Sequence, residues 1–254
     1  MEFAKMFIYG YASALLGAVL CLWLFPAAPS VAMVFLASFC IIPYFYTQLQ
    51  KEEQITEHIH SEKKFFEEYG HMLYHFMAIF IGLTLGFFTI FLHLDPNYQQ
   101  VLFGPFLHDV QVLQGFVTAE TYLANILWNN VRVLLIGILL SLCFGFGAII
   151  LITWNAALVG VAMGQFFTQH PDALFSFFNT LLRYMPHGIF EIAAYFIGAF
   201  GGGILFMAIA KHKFKSTKWK RVVLYAVQLF IIALFLLVFA AFVEVFITPW
   251  LYVA

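Results

Sequence analysis

Arg183, His187 and Glu191 fall at four-residue steps in the stretch RYMPHGIFE, directly ahead of a long apolar run. Residues four apart share one helix face, so this spacing presents a cation, an imidazole and a carboxylate along one stripe. Ionisable groups inside a membrane span are expensive, and they pair or mark a site. Glu244, five residues before Pro249, and Asn129, Asn130 and Arg132, ahead of another apolar run, reach a similar depth. Their chemistry is that of an intramembrane polar cluster that binds an ion or small solute, or that ties helices together. Arg132 or Arg183 is the natural counter-ion for Glu191 or Glu244. A metal is left open: His187, Glu191 and Glu244 offer three donors, but there is no HExxH, and a single His among carboxylates is a weak zinc set. No catalytic nucleophile, phosphate loop or cofactor motif stands out, so no cofactor is predicted.

The elements that position these residues are apolar helices. Hydrophobic residues make up 63% of the 254-residue chain and formally charged ones 10%, with a mean hydropathy of +0.92. A water-soluble domain of this size could not cover itself with so few polar groups. The expected fold is all-α, a polytopic transmembrane helical bundle of about seven spans, because helices satisfy their own backbone in lipid. The spans read as Phe7–Phe25, Val31–Tyr46, Leu73–Leu92, Val131–Trp154, Ala156–Phe167, His187–Ala210 and Val222–Ile247. The fifth is short for a full crossing. Lys5 and the run to Phe25, followed by PAAPS, are read as a retained first span, since the run is long for a signal peptide.

Orientation follows from Lys and Arg. The segment Lys211–Arg221 holds six of them and no acid, which places it in the cytoplasm. Counting spans puts Lys51–Gly70 and the N-terminus on that same side and the C-terminus outside. The expected organisation is a two-span hairpin over 1–50, a charged cytoplasmic helical elbow over 51–72 with Lys63–Glu67 and Lys64–Glu68 pairs, and a five-span core over 73–254. The outer segment His93–Thr121 mixes apolar and polar residues as an interfacial or partner-binding helix does. His71 and His75 fall at the cytoplasmic end of the third span, across the membrane from His187, and read as interfacial.

Gly82/Gly86, Gly160/Gly164 and Gly198/Gly202 are GxxxG pairs on three spans. Small residues at this spacing let helices approach closely. They are assigned to packing within the chain first and to a homodimer face second. Cys21, Cys40 and Cys143 lie in apolar runs without CxxC spacing and receive no chemistry.

Three stretches carry a family resemblance: NN-x-R at Asn129–Arg132, WNAALVG at Trp154–Gly160 and PHGxxE at Pro186–Glu191. With their flanking runs they resemble the stage II sporulation protein M family over about residues 67–247, with the first two spans as an addition. In Gram-positive sporulation the family member works in a membrane complex with cell-wall hydrolases during engulfment. Relatives occur in organisms that never sporulate, so that role does not carry over, and no catalytic residues come with the family. The resemblance implies that Asn129, Asn130, Arg132, His187, Gly188 and Glu191 occupy its polar motif positions. The function read from all of this is a non-enzymatic scaffold in the cell membrane. It would dock membrane or cell-envelope proteins, with the lipid bilayer and no nucleic acid as its other surroundings. The alternatives are a transporter or channel-like protein using the polar cluster and, third, an intramembrane metal-dependent hydrolase.

Overall fold

The computed structural model describes residues 2–58, 62–113, 119–169, 173–211 and 216–251, with side chains left undescribed at 49, 51–58, 62–69, 71–72, 109–113, 119–122, 173–177, 180–181, 183 and 211. Eight α-helices fill the described residues: α1 (Glu2–Leu24), α2 (Pro29–His58), α3 (Glu62–His93), α4 (Pro96–Leu113), α5 (Ala119–Phe144), α6 (Gly147–Gln169), α7 (Ala173–Lys211) and α8 (Thr217–Phe242). A π-helical turn at Val243–Ile247 and a 3-10 turn at Thr248–Trp250 follow. Seven of the helices are long and apolar enough to cross a membrane; α4 is the exception. The chain is a multi-pass membrane protein.

The division between the fourth and fifth spans differs from the expected one. Hydropathy runs unbroken from Val133 to Ile152, and the sequence reading placed the break after Trp154. The helices instead part at Gly145 and Phe146, within that run. Gly145 takes φ +81°, a left-handed conformation that a side chain resists. Its N–H donates to the Ser141 carbonyl at 2.7 Å, and the Ser141 hydroxyl accepts the Ala148 N–H at 2.9 Å. The end of α5 and the start of α6 are thereby satisfied without water, as a turn amid apolar residues requires. The span read as short is therefore a full one, Gly147–Gln169. Asn130 moves from the mouth of its helix into a span that begins at Leu123.

Pro186 also sits differently. It was expected in the first turn of its helix, but α7 begins at Ala173 and carries Pro186 in its interior. Its missing N–H leaves the carbonyl one turn back without the usual helix bond. The outer segment is the helix α4, and its Leu102, Phe103 and Phe106 are buried in the bundle. Phe106 lies against Trp154 of α6 at 4.8 Å between ring centroids, and the Ser30 hydroxyl of α2 donates to the Val101 carbonyl at 3.0 Å. This half of α4 is a packed wedge rather than a surface-lying helix. Val110, Leu113 and Phe116, which completed the expected apolar face, lie outside the described side chains.

Helices α6 and α7 form the centre, and phenylalanines join α7 to α2 and α3. Phe76 stacks on Phe196 at 4.5 Å, and Phe45 meets Phe76 and Phe200 edge-on at 5.4 and 5.9 Å. The GxxxG residues face neighbouring helices of the same chain. A Cβ on Gly82 would strike the Phe7 carbonyl of α1, and one on Gly86 would lie 2.7 Å from the Ala14 Cβ. Gly160 abuts the Thr84 carbonyl of α3, Gly164 the Phe91 ring, Gly198 the Leu134 side chain of α5, and Gly202 the Ile138 carbonyl. Outward faces stay apolar, with Leu135 and Leu139 of α5 and Leu224, Ile231 and Phe235 of α8 exposed. That is the surface lipid covers.

Candidate functional site

Helices α5 and α7 run side by side, and the polar residues of the first reading meet where they do. Asn130 is buried and donates its side-chain amide to the Glu191 carboxylate. Asn129 donates to the Asn130 side-chain oxygen at a long 3.5 Å. With α7's span starting at Tyr184, Glu191 lies about 10 Å along the helix at 1.5 Å per residue. A carboxylate at such depth needs a donor, and the sequence had suggested arginine. Asn130 takes that place. Arg132 is two residues further on, about 200° around the helix, and its side chain is exposed. The Arg183 side chain lies outside the described residues.

His187, one turn before Glu191, is buried, and its Nδ1 lies 3.2 Å from the Thr248 hydroxyl. Thr248 in turn donates to the Val243 carbonyl at 3.1 Å. This ties α7 to the π-helical turn that follows α8. Pi-helical turns recur at functional sites because they re-aim side chains out of the regular helix ladder. Here the turn carries Glu244, which is partly buried. Tyr195 continues the stripe one turn after Glu191. It is buried, and its phenol lies within electrostatic range of both the Glu191 and Glu244 carboxylates. The cluster therefore comprises Asn129 and Asn130 from α5, His187, Glu191 and Tyr195 from α7, and Glu244 and Thr248 from the C-terminal turns. Tyr195 and Thr248 were missed in the sequence. The four-residue step from His187 through Glu191 was the available signal for Tyr195. Nothing local marked Thr248.

A second polar chain, at the other end of the bundle, was also missed. His75 of α3 is buried, with Nδ1 2.9 Å from the Tyr44 hydroxyl of α2 and Nε2 3.3 Å from the Glu2 carboxylate of α1. His75 had been read as interfacial, and the spacing of Tyr44 and Glu2 gave no hint that three helices would converge on it. His71 lies outside the described side chains.

A helical bundle that crosses a membrane seven times, with a buried polar cluster between helices, is a polytopic integral membrane protein. The stage II sporulation protein M family model matches residues 30–249, and the chain belongs to that family. The match begins at the start of α2, so the second span is part of the family region, and only α1 lies before it. An uncharacterized protein of Methanocaldococcus jannaschii is 32% identical over 129 residues, covering 49% of this chain and 70% of that protein. No solved structure matches the chain.

Proposed function

We propose that the protein is a non-enzymatic docking component of a membrane complex, and that its partner-binding element is the charged helical hairpin of α2 and α3. The observation behind this reading is length. The apolar span of α2 ends at Gln48 while the helix runs to His58, and α3 starts at Glu62 while its span starts at Leu73. Each helix thus continues about 15 Å past its span at 1.5 Å per residue. Those extensions carry Lys51, Glu52, Glu53, Glu57, Lys63, Lys64, Glu67 and Glu68, a composition suited to water and to a charged partner. A hairpin of two rigid helices costs little to order on binding. The six basic residues of Lys211–Arg221 support a cytoplasmic position for it. The decisive experiment is purification from native membranes. A stoichiometric partner retained by the wild type and lost on Lys63→Glu/Lys64→Glu, at unchanged melting temperature, supports docking. A lone protein whose melting temperature rises with one particular solute overturns it.

The second reading is binding of an ion or small solute at the polar cluster. The Glu191–Asn130 contact, with Tyr195, His187 and Glu244 around it, favours that reading, because groups of this kind inside spans line transport sites. Among the described residues no group of three His, Cys, Asp or Glu side chains has the arrangement of a metal site, and no step through a metal is drawn.

A further inference from the structure

Helices α2 and α3 each pack on α1 far more than on each other. The two arms of the hairpin are therefore held together at their base through α1. Glycine contacts make that seating close: Gly10 of α1 abuts the Ile79 carbonyl, Gly82 the Phe7 carbonyl, and Gly17 the Met33 carbonyl of α2. Polar contacts fasten it where the arms leave the spans. Tyr44 is one turn before Gln48, the end of the α2 span, and His75 is two residues past Leu73, the start of the α3 span. At this level the His75 ring joins α2 through Tyr44 and α1 through Glu2. The Tyr9 hydroxyl of α1 donates to the Cys40 carbonyl of α2 close by.

We propose that Glu2, His75 and Tyr44 form a pH-sensitive latch that clamps α1 across the base of the hairpin and tightens when His75 is charged. A neutral imidazole has one donor and one acceptor nitrogen. With the proton on Nε2 it donates to Glu2 and accepts from the Tyr44 hydroxyl. An added proton makes both nitrogens donors and turns the Glu2 contact into an ion pair, which is the stronger form of hydrogen bond. The ion pair exists only while His75 is charged and Glu2 is ionised, that is between about pH 4.3 and about pH 6.5 for ordinary side chains. It is lost as the pH rises. Among the described residues the titratable groups facing His75 are Glu2 from α1 and Tyr44 from α2. Tyr74 flanks it on α3, Tyr9 faces the Tyr44 ring, and Lys5 is exposed on α1. From α7 the nearby side chains are Phe196 and Phe200, packed on Phe76 and Phe45. The latch stands on these contacts whatever the hairpin binds.

The experiment places nitroxide labels on Thr47→Cys and Gly70→Cys in the full chain in nanodiscs, with Cys21, Cys40 and Cys143 replaced by serine. Thr47 is exposed, and a Cβ at Gly70 meets nothing within 4 Å. The distance distribution is expected to shift outward and broaden from about pH 5.5 to about pH 8, and to lose that shift in Glu2→Gln and in His75→Gln. Should His75→Gln fail to fold, Glu2→Gln decides, since Glu2 is the exposed end of the chain. A distribution that ignores pH overturns the latch. So does a shift that survives Glu2→Gln, which would assign it to His58, His60 or His71 on the hairpin instead.

Discussion

The side-chain amide of Asn130 donates to the Glu191 carboxylate, joining α5 to α7 inside the membrane-spanning bundle. Arginine was the expected partner, and an amide has different consequences. It supplies a donor without neutralising the charge, so Glu191 keeps its capacity to bind a proton or a cation. It also makes the α5–α7 contact depend on one short side chain.

Asn130→Ala and Glu191→Ala are each expected to destabilise the purified protein, and the double mutant to lose about 1–2 kcal/mol less than the sum, the scale of a hydrogen bond to a charged group. Arg132→Gln is expected to show no coupling to Glu191→Ala, because Arg132 is exposed on another face of α5. Denaturant unfolding in mixed micelles measures both. Coupling to Arg132 in place of Asn130 would refute the assignment.

The turn between α5 and α6 rests on Gly145 and Ser141. Gly145→Ala forces a side chain into φ +81° and is expected to cost about 1–2 kcal/mol. Ser141→Ala leaves the Ala148 N–H without its acceptor and is expected to cost about 1–3 kcal/mol. Thermal melts of the two variants check this. Wild-type stability in Gly145→Ala would mean that the chain does not turn there.

Gly82→Val is expected to unseat α1, because its first carbon meets the Phe7 backbone. Overpacking of this kind costs about 1–3 kcal/mol. Gly70→Ala meets open space and is expected to be neutral. Protease accessibility of α1 in vesicles separates the two. Equal accessibility in both variants would argue against this seating of α1.

Side-specific reporters inserted at Phe146 and at Thr217 are expected to report one compartment, and reporters at Asp95 and after Ala254 the other. Seven spans with the break at Gly145 require this pattern. A reporter at Phe146 agreeing with the one at Asp95 would overturn the topology.

Composition and hydropathy suffice for the class. Sixty-three per cent hydrophobic residues in long runs leave helices in lipid as the economical solution, since each backbone must satisfy itself. The number of spans follows from the same runs, and PHGIFE already marked α7 as the helix that carries a buried carboxylate. What hydropathy cannot place is a turn inside an apolar run. Gly145 breaks such a run through backbone conformation and the Ser141 hydroxyl, neither of which changes its apolar character. Nor can local sequence choose between Asn130 and Arg132 as the partner of Glu191. Two residues apart, they point to different sides of α5, and only the rotation of α5 against α7 selects one. The convergence of Glu2, Tyr44 and His75 is likewise a property of three packed helices. Each residue is unremarked in its own segment, and the contact exists because glycines let α1 settle against α2 and α3.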